Sequence, residues 1–359
     1  MKRIVIKVGS NVLTRSNGKL DVTRMSAIVD QIAWLRQHDY EVILVSSGAV
    51  ACGRSELHIE EKLDSVEQRQ LFSAMGQAKL IGLYYDLFRE HNIHVGQVLT
   101  MKENFGAGEQ YDNQRACISV MLENGVLPIV NENDTVSVSE LMFTDNDELA
   151  GLVATMMEAR LLIILSNVDG IYSGDPADSG SELIREIAPG SDSASSFIRS
   201  SKSSAGRGGM HTKYSVARKV ASEGIPVAIA CGKRDGILTA VASGSRTLPY
   251  TLFTAGEKTI SPVKKWIAHS GGFARGSVMV NQGAADRLLS GKAASLLPVG
   301  ITAVEGDFVK DDIVRIVGPD GKAIAMGKAN CDADTLKSRM GQKNAKEFVH
   351  YDYLYIEQL

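Results

Sequence analysis

The rest of the chain is organised around the stretch VLPIVNENDTVSVSELMFTDNDEL, residues 126–149. Its first five residues are apolar and follow Gly125, and so short a run predicts a buried strand rather than a helix. Two polar clusters follow, at residues 131–134 and 145–147, and a helix is predicted over 148–159. Because open α/β sheets bind ligands at the carboxyl ends of their strands, both clusters are candidate binding sites.

Asn and Asp also serve as turn and cap residues, and this alternative applies to both clusters. For Asp145 it is the simpler interpretation, because Glu148 follows at capping-box spacing. For residues 131–134 it is weaker, since one turn does not need four consecutive polar residues. The first cluster therefore carries the stronger indication of a site.

On both sides of this stretch, short apolar runs alternate with helical periodicity. Strands are predicted at 4–8, 41–45, 95–100, 126–130, 161–165, 227–230 and 252–253, and helices at 22–35, 65–90, 114–123, 148–159 and 212–223. This alternation predicts an α/β fold with a mostly parallel sheet sandwiched by helices.

The pattern changes after the polar, turn-rich segment 254–262. Short apolar runs at 277–280, 301–304, 313–317 and 323–326 alternate with turn residues, and one helix is predicted near 284–289. This pattern is typical of a small, mainly β domain. A chain of 359 residues also exceeds one ordinary core, so two domains are predicted, 1–255 and 262–359.

Composition excludes several classes of protein. The net charge of −3 gives no general attraction to nucleic acid or to a membrane surface. Cys52, Cys117, Cys231 and Cys331 are scattered without a CxxC pair, which fits neither a disulfide framework nor a zinc site. No apolar run has the length of a membrane span or a signal-peptide core, so a cytoplasmic location and no membrane partner are expected.

Two lysines are candidates for binding an anion. Lys7 lies in an apolar strand, where a buried ammonium needs a partner, although a lysine at a strand end can also extend to solvent. Lys213 ends GRGGMHTK, residues 206–213, whose glycines precede a helix and would expose N–H groups to an anion. The loop has no Walker A spacing, and a flexible linker is the alternative.

Two further loops follow predicted strands. VSSGAV, residues 45–50, offers hydroxyl and N–H groups beside Gly48, where backbone can approach a ligand closely. SNVDGIYSGDP, residues 166–176, has the position expected for a nucleotide site. Each of the two loops, taken alone, also fits ordinary turns.

Five motifs in this order resemble the glutamate 5-kinases of the amino-acid kinase fold. They are VIKVGS at 5–10, VSSGAV at 45–50, NENDTV at 131–136, TDNDEL at 144–149 and GRGGMHTK at 206–213. The run GAADRLLSGKAASLLPVGI at 283–301 resembles the PUA domain that follows many bacterial members. The resemblance therefore covers both predicted domains.

The resemblance implies particular site residues. An ATP site would comprise Lys7, Ser166, Asn167, Arg207, Gly208, Gly209, Met210, His211, Thr212 and Lys213, and a glutamate site Ser47, Asp134 and Asn146. Lys7, Lys213 and Asp147 are the catalytic candidates. The sequence leaves open whether Asp145 and Asp147 orient the lysines or reach Mg²⁺. The family usually has Thr-Asp at 166–167 and lacks Arg207 and His211, so the nucleotide contacts are expected to differ.

The implied reaction transfers the γ-phosphoryl group of ATP, with Mg²⁺, to the side-chain carboxylate of L-glutamate, the first step of proline synthesis. A carboxylate is already ionised at neutral pH, so no general base is needed. A dimer or tetramer and coupling to a glutamyl-phosphate reductase are further expectations. Three alternatives stay open: a related kinase for N-acetylglutamate, aspartate or UMP, an RNA-binding protein acting through the PUA-like domain, and a sensor without catalysis.

Overall fold

The computed structural model describes residues 2–57, 59, 63–105, 109–137, 145–178, 180–189, 191, 209–256, 264, 267, 274–290 and 293–356. Arg207 and Gly208 lie outside the described residues. The chain divides into two compact units. The first comprises Met1–Lys102 and Arg115–Thr259, and the second Glu103–Gln114 and Ile260–Leu359.

The first unit contains an eight-stranded sheet within its described residues. Its strands are β1 Lys2–Val8, β2 Tyr40–Ser46, β3 Val95–Thr100, β4 Leu127–Glu132, β5 Leu161–Ser166, β6 Glu186–Ile187, β7 Val227–Cys231 and β8 Tyr250–Phe253. Their spatial order is β3-β4-β2-β1-β5-β7-β8-β6. Every pair is parallel except β7 with β8, so the prediction of a mostly parallel sheet is confirmed.

Helices precede and follow these strands along the chain. They are α1 Ser10–Leu13, α2 Val22–Gln37, α3 Ala49–Glu56, α4 Ser65–Arg89, α5 Glu109–Glu123, α6 Asn146–Met156, α7 Met210–Ser222 and α8 Ile237–Ser243, with a 3₁₀ turn at Lys102–Phe105. Alternate residues of β1 face opposite sides of the sheet. Ile4, Ile6 and Val8 pack in one core with α2 and α8, whereas Lys7 meets α6 on the other side.

Helices α3 and α4 pack at van der Waals contact because glycines remove side chains between them. A Cβ at Gly53 would overlap the carbonyl oxygen of Phe72, and a Cβ at Gly76 would overlap that of Ala49. Helix α3 begins directly after the Ser47-Gly48 turn, where Gly48 has a φ of 108°. That left-handed conformation favours glycine, so this residue lets the chain turn sharply from β2 into α3.

The second unit contains a five-stranded sheet in its described part. Its strands are β9 Gly276–Val280, β10 Ile301–Gly306, β11 Ile313–Val317, β12 Ala323–Lys328 and β13 Leu354–Ile356, in the order β10-β9-β11-β12-β13. Helices α9 Gln282–Leu289 and α10 Ala333–Arg339 and 3₁₀ turns at Pro298–Gly300 and Tyr351–Tyr353 accompany them. The prediction of a mainly β unit is confirmed. Across the described residues of both units, no helix has the length and apolarity needed to span a membrane.

Candidate active site

The candidate site lies at the carboxyl edge of the first sheet. In the register of β1, Lys7 is opposite Val45 of β2 and Ile164 of β5, and Val45 is opposite Val130 of β4. The four strands therefore end side by side, and the loops that carry the predicted site residues leave the sheet at the same edge. This is the edge at which open α/β sheets bind ligands.

One carboxylate holds two lysines at this edge. Lys7 Nζ lies 2.6 Å from Asp147 Oδ1, and Lys213 Nζ donates a hydrogen bond of 2.9 Å to Asp147 Oδ2. The Asp147 side chain is 0% exposed, and those of Lys7 and Lys213 are 6% and 10% exposed. We call these three residues the lysine triad. It carries a net charge of +1 in a buried setting, where charge acts strongly on a ligand.

Three elements bring the triad together. Lys7 is the second-last residue of β1. Asp147 lies in the first turn of α6, and Lys213 lies in the first turn of α7. Gly151 allows α6 and α7 to approach, because a Cβ there would meet the side chains of Val216 and Val220 at 3.0 and 3.1 Å. The ammonium of Lys7 is thus paired and buried, which excludes the alternative that it extends to solvent.

The two aspartates of the TDNDEL motif have opposite electrostatic environments. Burial would raise the pKa of Asp147, but the charges of Lys7 and Lys213 outweigh it and hold that pKa below its ordinary value. Burial raises the pKa of Asp145 to about 6, and the negative charge of Asp147 contributes to the rise. Asp147 is therefore the ionised partner of the lysines, and Asp145 titrates close to neutral pH.

Asp145 is the N-cap of α6, as its spacing predicts. Its Oδ1 accepts hydrogen bonds from the backbone N–H groups of Asp147 and Glu148 at 2.8 and 3.1 Å. Its Oδ2 is buried and has no hydrogen-bond partner among the described residues. The helix begins at Asn146, two residues earlier than the sequence pattern predicts, because the cap itself fixes where the first turn starts.

Magnesium, which the family implies, fits this carboxylate. Mg²⁺ takes oxygen ligands and commonly combines one or two carboxylates with substrate phosphates. Asp147 uses both oxygens on the lysines, whereas Asp145 Oδ2 remains available within the described structure. The described residues contain no group of three or more His, Cys, Asp or Glu side chains that could hold a metal by themselves.

Two of the predicted glutamate-site residues contact each other. Asn146 Nδ2 lies 2.9 Å from Ser47 Oγ, 2.9 Å from Asn131 Oδ1 and 3.2 Å from the carbonyl oxygen of Ser46. Asn131 Nδ2 in turn donates to Gln77 Oε1 at 2.8 Å. This network joins the ends of β2 and β4 to the start of α6, beside Asp147.

The third predicted glutamate-site residue has an ionic partner that sequence reasoning missed. Asp134 Oδ1 accepts a 2.7 Å hydrogen bond from Arg69 Nε, and Arg69 Nη2 donates to Glu132 Oε2 at 2.6 Å. Ser137 Oγ donates to Glu132 Oε1 at 2.9 Å. Arg69 lies in α4, where an isolated arginine in a helical pattern looks like a surface residue. The signal that could have found it is Glu132, a carboxylate at the end of a buried strand.

Apart from Lys7 and the two residues outside the described part, the predicted nucleotide residues lie at the end of β5 and at the start of α7. Ser166 ends β5, and its Oγ donates to Asn167 Oδ1 at 3.3 Å. Met210, His211, Thr212 and Lys213 form the first turn of α7, and Gly209 precedes it without a side chain to cap it. Beyond Asn167, the sequence analysis missed the ion pair of Asp169 with Arg234, in which Arg234 Nη2 donates to Asp169 Oδ2 at 2.8 Å.

A mostly parallel α/β sheet with two lysines buried around one aspartate at its carboxyl edge suits an enzyme that handles phosphate. The family model described as "Amino acid kinase family" matches residues 2–231, and that described as "PUA domain" matches residues 276–351. These matches confirm the kinase family and the PUA-like domain that the motifs indicate.

Curated relatives narrow the assignment. The chain is 62% identical to a glutamate 5-kinase of Bacteroides thetaiotaomicron over 99% of this chain and 98% of the relative. It is 48% identical to a glutamate 5-kinase of Chlorobaculum tepidum over 99% and 97%. An isopentenyl phosphate kinase structure matches 70% of this chain and 100% of its own with a TM-score of 0.50 and 18% identity, which supports the fold alone. The chain belongs to the amino acid kinase family and, within it, to the glutamate 5-kinases.

Proposed function

We propose that this protein transfers the γ-phosphoryl group of ATP to the side-chain carboxylate of L-glutamate, giving L-glutamyl 5-phosphate, the first step of proline biosynthesis. The observation that carries the proposal is the lysine triad, in which Asp147 holds Lys7 and Lys213 at the carboxyl edge of the sheet. The identities to glutamate 5-kinases over the whole chain support the choice of acceptor.

The residues of the triad suit a reaction between two anions. Glutamate is ionised at neutral pH, so its carboxylate can attack without a general base. The difficulty is to bring it in line with a triphosphate and to stabilise the charge that spreads over the transferred group. Lys7 and Lys213 supply positive charge from two sides. Asp147 fixes both ammonium groups before the substrates arrive, so little reorganisation is needed during transfer.

We assign ATP to the carboxyl end of β5 and the N-terminus of α7. Ser166 and Asn167 offer polar groups at the end of β5, and the N-terminus of α7 offers N–H groups and a positive dipole end to phosphate. Arg207 and His211 would add positive charge or hydrogen-bond donors to the same phosphates. When bound, Mg²⁺ supplies further positive charge to the phosphates, and Asp145 is the residue that would hold it.

We assign glutamate to the ends of β2 and β4. Ser47 accepts a hydrogen bond from Asn146 and keeps its own hydroxyl hydrogen for a carboxylate. Asn146 would donate to the same carboxylate by exchanging one of its present hydrogen bonds. The α-ammonium of glutamate loses water on entering the site, and Asp134 is the carboxylate that would compensate for that loss. N-acetylglutamate has no such ammonium, so this residue would favour the free amino acid.

Location, assembly and coupling follow as further proposals. A cytoplasmic location fits the four scattered cysteines. Assembly into a dimer or tetramer is supported by the exposed apolar side chains of α4, Val66, Met75 and Tyr85. An acyl phosphate hydrolyses readily, so prompt use by a glutamyl-phosphate reductase would protect the product.

We place the kinase domain at residues 1–255 and the PUA domain at 262–359. Binding of RNA by the PUA domain has no support from the near-neutral charge of the chain.

An acceptor panel tests the proposed reaction. The purified protein is incubated with ATP, Mg²⁺ and either glutamate, N-acetylglutamate, aspartate or UMP, and ADP is measured. We expect ADP with glutamate, together with an equal amount of hydroxamate when hydroxylamine traps the acyl phosphate. ADP formed only with another acceptor would identify a related kinase instead. ADP formed with none of the four would overturn the proposal.

A further inference from the structure

The acidic residues after β4 form a cluster with an unusual charge balance. Arg69 binds both Glu132 and Asp134, and the side chains of these residues are 17%, 4% and 10% exposed. Two carboxylates meet one guanidinium, so the cluster has a net charge of −1. We call these three residues the arginine clamp. A carboxylate that shares its arginine with a second carboxylate can also bind the cationic group of a ligand.

One oxygen of the clamp remains available to a ligand. Glu132 uses Oε2 on Arg69 and accepts from Ser137 on Oε1. Asp134 uses Oδ1 on Arg69, and no hydrogen bond to its Oδ2 is made by the residues that the structure describes. Asp134 Oδ2 is therefore the oxygen that an incoming ammonium would meet.

Resting on the glutamate kinase activity proposed above, we infer that Arg69 is a positioning residue that prepares Asp134 for the α-ammonium of the substrate. Its Nε donates to Asp134 Oδ1, and its Nη2 contacts both Asp134 Oδ1 and Glu132 Oε2, so one guanidinium fixes the separation of the two carboxylates. Without Arg69, two buried carboxylates would repel each other and one would turn away. Arg69 touches no reacting atom, so it acts on the binding of glutamate and not on phosphoryl transfer.

The position of Arg69 on a capped and closely packed helix supports this role. It lies in α4, which is capped by Asp64 in a reciprocal capping box with Glu67. Further along α4, Gly76 packs against α3, and α3 begins directly after Ser47. The α3–α4 pair therefore holds the arginine clamp and the Ser47 turn in a fixed relation, and both ends of a bound glutamate would be aligned by one packed unit.

The test compares glutamate saturation and ATP saturation in variants of the full-length protein. Arg69→Gln should raise the KM for glutamate about 30-fold or more, because a buried charge pair loses one partner. The kcat should stay within about threefold and the KM for ATP within about twofold, because the ammonium does not change during transfer. The KM for glutamate of Arg69→Lys should lie between those of the wild type and Arg69→Gln, since an ammonium keeps the charge but cannot reproduce the forked geometry of a guanidinium. Arg89→Gln, an exposed arginine of the same helix, is the matched control and should leave all constants unchanged.

A double-mutant cycle separates positioning from a general structural effect. If Arg69 acts through Asp134, Arg69→Gln combined with Asp134→Asn should raise the KM for glutamate no further than Asp134→Asn alone. The inference would be overturned if the increases in the KM for glutamate of the two single variants multiplied in the double variant. It would also be overturned if Arg69→Gln left the KM for glutamate unchanged, or raised the KM for ATP equally. If Arg69→Gln does not fold, Arg69→Lys in the same cycle carries the test. A wild-type protein that forms no ADP with glutamate would refute the proposed function, a result distinct from all of these.

Discussion

Asp147→Asn is the substitution that probes the lysine triad most directly. The amide keeps the size of the side chain but removes the only negative charge between Lys7 and Lys213 within the triad. Removing one partner of a buried ion pair costs about 3–5 kcal/mol, because the remaining charge is left without compensation. Here two ammonium groups lose the same partner, so we expect a loss at the upper end of that range. With total stabilities of about 5–15 kcal/mol, the variant should fold but open more easily.

Hydrogen exchange measured by mass spectrometry is the suitable assay, because it reports the opening of β1 and α6 without assuming that a chain of two units unfolds in one step. Turnover should fall about 100-fold or more, since the two lysines lose their orientation. Glu158→Gln is the control: its pair with Arg115 is about half exposed, and it should change stability by less than about 1 kcal/mol. If Asp147→Asn keeps its protection within about 1 kcal/mol of the wild type, the triad does not stabilise the site and the reasoning is refuted.

Three further results are expected. Lys213→Ala and Lys7→Ala should each lower kcat about 100-fold or more with a smaller change in the KM for glutamate, and near-normal kcat in either variant would remove that lysine from phosphoryl transfer. Because the pKa of Asp145 is raised to about 6, the folded state binds the proton more tightly and loses stability as pH rises from about 4 to 6. Asp145→Asn should therefore be more stable than the wild type at pH 7 by up to about 3 kcal/mol and equal to it below pH 4, as measured by hydrogen exchange in α6. Gly76→Ala should lower stability by about 1–3 kcal/mol and raise the KM for glutamate. Gly82→Ala, which adds its methyl group to open space on the same helix, should be neutral or stabilising. Equal effects of the two substitutions would contradict the close packing of α3 on α4.

Most of the fold could be predicted from periodicity, because the long strands and helices each repeat their pattern several times. The prediction failed for very short strands and for helical turns that consist only of polar residues. Strands β6 and β13 span two and three residues, too few for any alternation to show. Helix α5 begins at Glu109 rather than 114, because its first turns, EQYDN, are polar and carry no apolar repeat.

The side chains that meet at the carboxyl edge were predictable as a set of residues but not as a set of pairs. The motifs predicted that Lys7, Asp147 and Lys213 belong to one site. They did not predict which of the two aspartates of TDNDEL pairs with the lysines. The choice depends on local backbone: Asp145 is extended as the helix cap and turns an oxygen to the N–H groups of its own helix, whereas Asp147 lies within the first turn. Arg69 was missed because its partners are more than 60 residues away in the sequence.

The composition of the lysine triad has a consequence for biosynthesis of the chain. Lys7 is made first, but Asp147 is made much later and Lys213 roughly 200 residues after Lys7. At about 5–20 residues per second, the ammonium in the central strand waits on the order of ten seconds or more for its counter-charge. Strand β1 cannot bury Lys7 at low cost in that interval. The nascent first unit should therefore stay loosely closed on the α6 side of its sheet until α6 has left the ribosome, and the second ammonium of the site should follow only with α7.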